Sequence, residues 1–508
     1  MEPRLKNLDH LFHPRSVAFV GATESMGKWG FIIFNNLISG GYEGALYPVN
    51  PGRESVLGFK AYPTVRDIPG EVDLAVFTVP ARQVVAAIPD CVAKGVKAGV
   101  VISAGFKEMG GEFADLEAEM VAKARAGGMV LVGPNGQGIC CPASKLFPWM
   151  PNFYPPDGKM GLVSQSGNVQ NILLEGVVKS GFGVSKAVSS GNEADLRAED
   201  FYAYFAEDPS VEVIVSYLEG IADGRRFLEI ARAAAAKKPV IVYKAGRTLS
   251  GFSAARSHTG AMAVSDQLFD SVCKQAGLIR VHDINEAGII ATSFLHRPLP
   301  RGRRVGILTG GGGLGVIAAD LCSDLQLQVP ALSPETLNQI GKLMPNWWVP
   351  GNPVDLVAGL NFQSVMPIME ILMKSGEVDS VMLLFIGPPR LKGTEAPVKH
   401  PQAVEFSKVW KGMTQMWGAF AKILFSMMQQ VQVPVYLVSN FGDEREIDLG
   451  SIMGDNSITI HPTIESACQT IRAMADYFEY QGALREERPG KPGRISLLEN
   501  TAAIRKPE

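Results

Sequence analysis

The sequence predicts an α/β protein made of three successive doubly wound units, and three observations carry that expectation. Short β-rich runs without polar alternation recur along the chain, at SVAFVGA (16–22), ALYPVN (45–50), DLAVFTVP (73–80), AGVVIS (98–103) and MVLVG (129–133), and again beyond residue 155. Between them lie stretches with helical spacing, such as FIIFNNLI (31–38) and FADLEAEMVAKARAGG (113–128). Glycine- or serine-rich turns follow the first strand of each unit. Strands that are apolar throughout and separated by helices belong in parallel sheets covered on both faces. Right-handed crossovers then bring every strand's carboxyl end, and any ligand, to one edge.

The five runs above make the first unit, 1–135. A proline-rich link, FPWMPNFYPPDGK, leads into the second, 155–295, with strands at MGLVS, VSKAVSS, VEVIVSYLE and KPVIVYKAG. HRPLPRGR precedes the third, 300–480. It opens with RVGILTGGGGLGVIAADLC, continues through SVMLLFIGPP and VPVYLVSN, and closes with a helix at 465–480. The polar, proline-bearing 481–508 is expected to be a loosely ordered tail. A length of 508 residues agrees with about three domains. Within 388–432, Met413, Met416, Met427 and Met428 stand among aromatics, the composition of a helix core or subunit contact.

Composition excludes several classes of function. A net charge of -3 with scattered basic residues leaves no footprint for nucleic acid or anionic membrane. The apolar runs, such as 381–386, are far shorter than the ~20 residues of a membrane span, and MEPRLKNLDHLFHPRS has no apolar core of a secretory signal. Six cysteines without Cys-x-x-Cys or metal-ligand spacing read as reduced, buried hydrophobes. Together these features point to the cytoplasm and to no metal site.

Each glycine or serine turn could hold an anion. Gly21-Ala22-Thr23-Glu24-Ser25-Met26-Gly27-Lys28 runs from a strand into a helix, where backbone N–H groups and the helix terminus favour phosphate. It matches neither the dinucleotide fingerprint nor a Walker loop, and a tight turn without a ligand reads equally well. Ser164-Gln165-Ser166-Gly167 occupies the same place in the second unit, suited to a phosphoryl group or to simple N-capping. Gly310-Gly311-Gly312-Gly313-Leu314-Gly315 is the richest in glycine; a close-approaching ligand and a packing or interface role are both open. Of seven histidines, His258 alone lies in a loop of small polar residues, GRTLSGFSAARSHTGAMA, where an imidazole is accessible as a nucleophile or as a solvated side chain.

The order of these segments resembles the α subunit of ADP-forming acetyl-CoA synthetases, relatives of the succinyl-CoA synthetase α subunit. The likeness runs from LFHPRSVAFVGAT to about Tyr480, and its most specific piece is Ser-His-Thr-Gly-Ala at 257–261, matching the family's phosphohistidine loop. TVPA (78–81), SAGF (103–106), GPN (133–135), SQSG (164–167), SSGNEADL (189–196), YLEG (217–220) and NPVDL (352–356) support it in the correct order. The resemblance implies a Rossmann-like CoA-binding domain followed by two flavodoxin-like ligase domains. It implies CoA contacts from Gly21, Ala22, Thr23, Lys28, Asn50, Pro51, Arg53, Val79, Pro80, Ala104 and Gly105. Ser164, Gln165, Ser166 and Gly167 would receive the phosphorylated His258, Glu219 would hydrogen-bond that histidine, and Asn135, Gly136, Gly191 and Asn192 would face the acid.

The implied reaction is acid + CoA + ATP = acyl-CoA + ADP + phosphate, reversible, through phosphohistidine and acyl phosphate. No segment resembles an ATP-grasp domain, so ATP/ADP and Mg2+ are expected through a β subunit, in an α2β2 hetero-oligomer. Two departures stand out: Gly136 replaces the usual cysteine, which is expected to widen the space near the reacting carbonyl, and Gly52-Arg53 replaces a lysine after Asn-Pro. A non-catalytic CoA- or acyl-CoA-binding scaffold of the same fold is the alternative. An NAD-dependent dehydrogenase lacks its Gly-x-Gly-x-x-Gly and its acidic partner here.

Overall fold

The computed structural model describes residues 3–248, 250–251, 265–356, 362–384, 420–439 and 458–486; His258 with its loop, most of 388–432 and the end of the tail lie outside them. The first unit forms β1 (Ser16–Val20), β2 (Ala45–Val49), a small hairpin of β3 (Ser55–Val56) and β4 (Phe59–Lys60), then β5 (Leu74–Phe77), β6 (Ala98–Val101) and β7 (Val130–Val132). The large sheet is parallel, ordered β2-β1-β5-β6-β7. Every residue of β1, β5, β6 and β7 is buried, which is why these strands carry no polar alternation.

The second sheet contains β8 (Gly138–Cys140), β9 (Asp157–Ser164), β10 (Val184–Ser189), β11 (Val213–Leu218), β12 (Val240–Lys244) and β13 (Ile279–Val281), ordered β13-β12-β11-β9-β10-β8. All pairings are parallel except that of β8, which runs antiparallel to β10. This strand falls in the stretch left between the first two units by sequence, so the connection after residue 135 is part of the second sheet. The third sheet, β14 (Val305–Thr309), β15 (Val354–Asp355), β16 (Ser380–Leu384), β17 (Val435–Val438) and β18 (Ile460–His461), has the order β15-β14-β16-β17-β18. Counted by appearance and setting β8 aside, all three sheets have the order 2-1-3-4-5. In such a sheet the crossovers change direction between the first and third strands, and that crevice is where ligands bind. The three sites are therefore the carboxyl ends of β1/β5, β9/β11 and β14/β16. The glycine and serine turns follow β1, β9 and β14.

The first two units share one hydrophobic core. Phe12 of the helix Leu8–Phe12 stacks on Tyr204 at 5.5 Å, and the Tyr204 hydroxyl donates to Asp9. Arg4 and Arg125 both donate to the buried Asp195. The helix Ile464–Glu486 joins the third unit to the second: Tyr477 packs edge-on against Phe294 and donates to the carbonyl of Ala235. It continues to residue 486, so the expected tail begins as helix, because Tyr480 and Gln481 still make contacts on the second unit. Among the described residues no helix is long and apolar enough to cross a membrane, and no three His, Cys, Asp or Glu residues group as metal ligands.

Candidate active site

Two cavities lie at the ligand edges of the first two sheets. One, of about 410 Å³, opens at the β1/β5 crevice and is lined by Gly21, Asn50, Pro51 and Val79 of the residues expected to meet CoA. Gly21 has φ +100, and a Cβ there would lie 2.7 Å from Thr78 Oγ1 and 2.8 Å from Val79 Cγ1. Gly30 seats the following helix, Trp29–Ser39, directly on this turn, for a Cβ would come within 2.2 Å of the Gly21 carbonyl oxygen. Asn50 ties the turns together, donating from Nδ2 to the Ala22 carbonyl (2.8 Å) and accepting from the Gly52 N–H (2.9 Å).

Other residues expected at CoA are placed differently. Ala22 is fully buried and contributes only its carbonyl to Asn50. Thr23 Oγ1 accepts from the Ser25 N–H, Lys28 and Pro80 are exposed at helix starts, and Arg53 lies 3.8 Å from Glu24 on the surface. Gly105 does not offer its N–H outward, because Glu108 Oε1 accepts from it at 2.6 Å. Ala104 lines the second cavity instead.

That second cavity, about 340 Å³, lies between the first two units. Thr78, Ile102, Ser103 and Ala104 form its wall on the first; Asn135, Gly136 and Gln137 come from the connection; Gln165, Ser166, Gly167, Gly191 and Asn192 come from the second. All four residues expected to face the acid are here, with three of the four expected to take phosphate. Ser164 is the exception. Fully buried, it donates from Oγ to the Ser166 carbonyl (2.6 Å) and accepts from the Ser166 N–H (3.2 Å), shaping the turn that starts the helix Gly167–Lys179.

The Gln165 side chain, which lines the cavity, is also bonded into the fold. Its Oε1 accepts from the backbone N–H groups of Glu219 (2.5 Å) and Gly220 (3.0 Å), and its Nε2 donates to Glu193 Oε2 (2.8 Å). The end of β11 is thereby fixed against the end of β9, which places Glu219, 7% exposed, beside the Ser-Gln-Ser-Gly turn. Glu219 holds the phenol of Tyr217, whose pKa rises through burial and then through this carboxylate. Tyr217 in turn stacks on Tyr243, with ring centres 5.7 Å apart.

The loop 190–196 seals the two units along 131–135. The N–H groups of Asn192, Ala194 and Leu196 donate to the carbonyls of Pro134, Gly133 and Leu131. The Asn192 Nδ2 amide then bridges two carboxylates, Glu108 Oε2 (2.6 Å) and Glu117 Oε2 (3.0 Å). Burial pushes the Glu117 carboxyl up; at Glu108 burial is outweighed by the Asn192 amide and by backbone N–H groups, and its pKa falls. Gly136 corrects an expectation. A Cβ there would lie 2.4 Å from the Ser189 carbonyl oxygen, so the missing side chain points into backbone and leaves the cavity no wider.

Glu193 was not singled out by sequence. Some of the residue's surface stays accessible, but its carboxyl group is enclosed by Gln165, Ser190 and the Ala198 N–H, and burial pushes it up to about 8. Above its ordinary value of 4.5 the unfolded chain releases this proton while the folded chain keeps it. Stability from this group is thus complete below that value and falls as pH rises toward 8, by about 1.4 kcal/mol per pH unit. Glu193→Gln, neutral throughout, is expected to flatten that slope in thermal unfolding measured from pH 5 to 9. An unchanged slope would place the carboxyl's pKa near its ordinary value.

Glycines of the third turn divide. Gly312 and Gly315 face Asp355 Oδ2 (2.9 Å) and Pro353 Cβ (3.0 Å), so neighbours of the Asn-Pro-Val-Asp-Leu segment leave little room for a side chain. Gly310, Gly311 and Gly313 would meet nothing within 4 Å, and packing within the described residues does not require them. His258 lies outside the described residues. In sequence it falls between β12, which pairs with β11, and the helix Asp266–Ala276.

Comparisons with known proteins agree with this architecture. Residues 15–142 match the CoA binding domain model, and 157–294 the model of the succinyl-CoA ligase like flavodoxin domain. The α subunit of ADP-forming acetate–CoA ligase I from Pyrococcus furiosus is 39% identical over 386 residues, 75% of this chain and 83% of that one. An ADP-forming 4-hydroxybutyrate–CoA ligase from Nitrosopumilus maritimus is 31% identical over 503 residues, 98% of this chain and 67% of its own length. Among solved structures, acetyl-coenzyme A synthetase 1 of Ca. Korarchaeum cryptofilum, in complex with phosphate and ADP, superposes with a TM-score of 0.82 at 32% identity, covering 95% of this chain and 99% of that one.

Proposed function

The chain belongs to the family of ADP-forming acetate–CoA ligase α subunits, and from that premise we propose how its residues divide the work. The protein is an NDP-forming acyl-CoA synthetase subunit that uses CoA and a nucleotide. In our reading, CoA lies along the β1/β5 crevice over Gly21, Asn50, Pro51 and Val79, with its thiol entering the second cavity past Thr78 and Ala104. Phosphate arrives at the start of the helix Gly167–Lys179, carried on His258, where Gly167 and Asn168, the first two residues of the helix, present N–H groups to it. Glu219 orients the imidazole. The acid sits between, against Asn135, Gly136, Gly191 and Asn192.

A carboxylate oxygen attacks the phosphohistidine phosphorus, the P–N bond breaks, and acyl phosphate forms. The CoA thiol, losing its proton, then adds to the acyl carbonyl, and phosphate leaves with the electron pair of the C–O bond. One hard condensation becomes two transfers between activated groups. We assign the recharging of His258 by ATP and Mg2+ to a separate ATP-grasp β subunit in an α2β2 assembly. The acid remains a matter for the pocket, since related enzymes are named for acetate and for 4-hydroxybutyrate.

The observation that carries this reading is the second cavity itself: its lining brings Thr78 and Ala104, which follow strands of the first sheet, together with the Ser-Gln-Ser-Gly turn that follows β9 of the second. The chain with its ATP-grasp partner is expected to convert acid, CoA and ATP to acyl-CoA with ADP and phosphate in equal amounts. Formation of AMP and pyrophosphate would contradict it.

A further inference from the structure

We propose, resting on that reading, that the acid taken by this enzyme is a monocarboxylic acid bearing a hydroxyl group, and that Gln137 with Asn168 recognises that hydroxyl. Among the described residues, no charged side chain lines the second cavity. A second carboxylate or an ammonium group would be desolvated there without a partner, which disfavours dicarboxylic and amino acids. Trp29, Ile102 and Met150 supply apolar surface for a methylene chain.

Gln137 is locked in place. Its N–H donates to Ser189 Oγ (2.8 Å), its carbonyl accepts from the Met150 N–H (2.8 Å), and its side chain packs on Gly167, where a Cβ would lie 2.1 Å from Gln137 Cγ. The amide is held from both ends: Nε2 donates to Asn168 Oδ1 (2.9 Å), and Oε1 accepts from Asn171 Nδ2 (3.1 Å). Each end keeps a second bonding position that no described residue fills, and Asn171 Oδ1 is buried without a partner. A fixed amide beside the cavity therefore offers one donor and one acceptor. A hydroxyl, which donates and accepts, satisfies both; a methyl satisfies neither, and a carboxylate or ammonium only one. A site built this way rejects the analogue lacking the group, because its own polar atoms are then left unpaired.

The test uses the chain with its ATP-grasp partner and compares kcat/KM for 4-hydroxybutyrate against butyrate and for 3-hydroxypropionate against propionate. The wild type is expected to favour the hydroxy acid of at least one pair by ~10-fold or more. Gln137→Met keeps the length and packing on Gly167 but loses both bonding ends, and is expected to bring that ratio near one. Both acids are measured on the same protein, so a loss of folded enzyme leaves the ratio unmoved; should the variant not accumulate, Asn168→Ala on the exposed first turn of its helix is read in the same way. A wild-type ratio of one or less, or a variant keeping the wild-type ratio, overturns the proposal. Phosphorylation of the wild-type chain from ATP needs no acid: label without acid preference overturns the hydroxyl inference alone, whereas no label and no acyl-CoA overturns the underlying reading with it.

Discussion

Gly191→Ala is expected to lower kcat/KM for acyl-CoA formation by at least ~100-fold and to reduce stability by about 2–4 kcal/mol. Gly191 has φ +56, a conformation that costs an L residue roughly 1–2 kcal/mol. Sterics add more, for a Cβ would stand 2.2 Å from the Pro134 carbonyl oxygen and 2.8 Å from Asn135. The Pro134 carbonyl also accepts from the Asn192 N–H at 2.9 Å, so neither backbone can retreat without breaking the seam between the two units. Displacing the loop would carry Asn192 off Glu108 and Glu117 and Glu193 off Gln165. Kinetics and a thermal melt check the expectation. Gly176→Ala makes the contrast: its Cβ meets nothing within 4 Å on the exposed face of the helix Gly167–Lys179, and the melt should stay level or rise.

His258→Ala is expected to abolish ATP-dependent acyl-CoA formation, by more than ~10⁴-fold, the scale on which loss of a covalent nucleophile acts. Among the described residues no charged side chain lines the cavity, and Glu219 beside it is tied to Tyr217. CoA affinity, measured by calorimetry, should stay within about threefold of wild type, since CoA is assigned to the first sheet's crevice. A parallel loss of CoA binding would mean that the variant had disturbed the fold.

Much of this fold was legible because buried parallel strands leave a simple trace. SVAFV, LAVF and AGVV are apolar throughout since helices cover both faces of the sheet. The turns after β1, β9 and β14 were equally visible, and their place at the three crevices follows from topology. Long-range partners were not visible. Gln165 looked like a phosphate ligand within Ser-Gln-Ser-Gly, yet its side chain holds the end of β11, 54 residues away. Glu193 and Glu108 carried no signal in the sequence, and only the folded loops show one enclosed and the other capping Gly105 and Phe106. Gly136 misled for the same reason: sequence tells that a side chain is missing but not which way it would have pointed. Likewise β8 is too short and irregular in composition to announce itself before its antiparallel pairing with β10 is seen.

The central claim, that this chain carries the phosphoryl group on His258, is tested most directly by mixing it with its ATP-grasp partner, Mg2+ and ATP labelled at the γ-phosphate, without acid or CoA. The account predicts acid-labile, base-stable label on this chain, absent from His258→Ala and discharged by adding acid and CoA. A chain that stays unlabelled beside a partner shown to be active, or that keeps its label in His258→Ala, would contradict it.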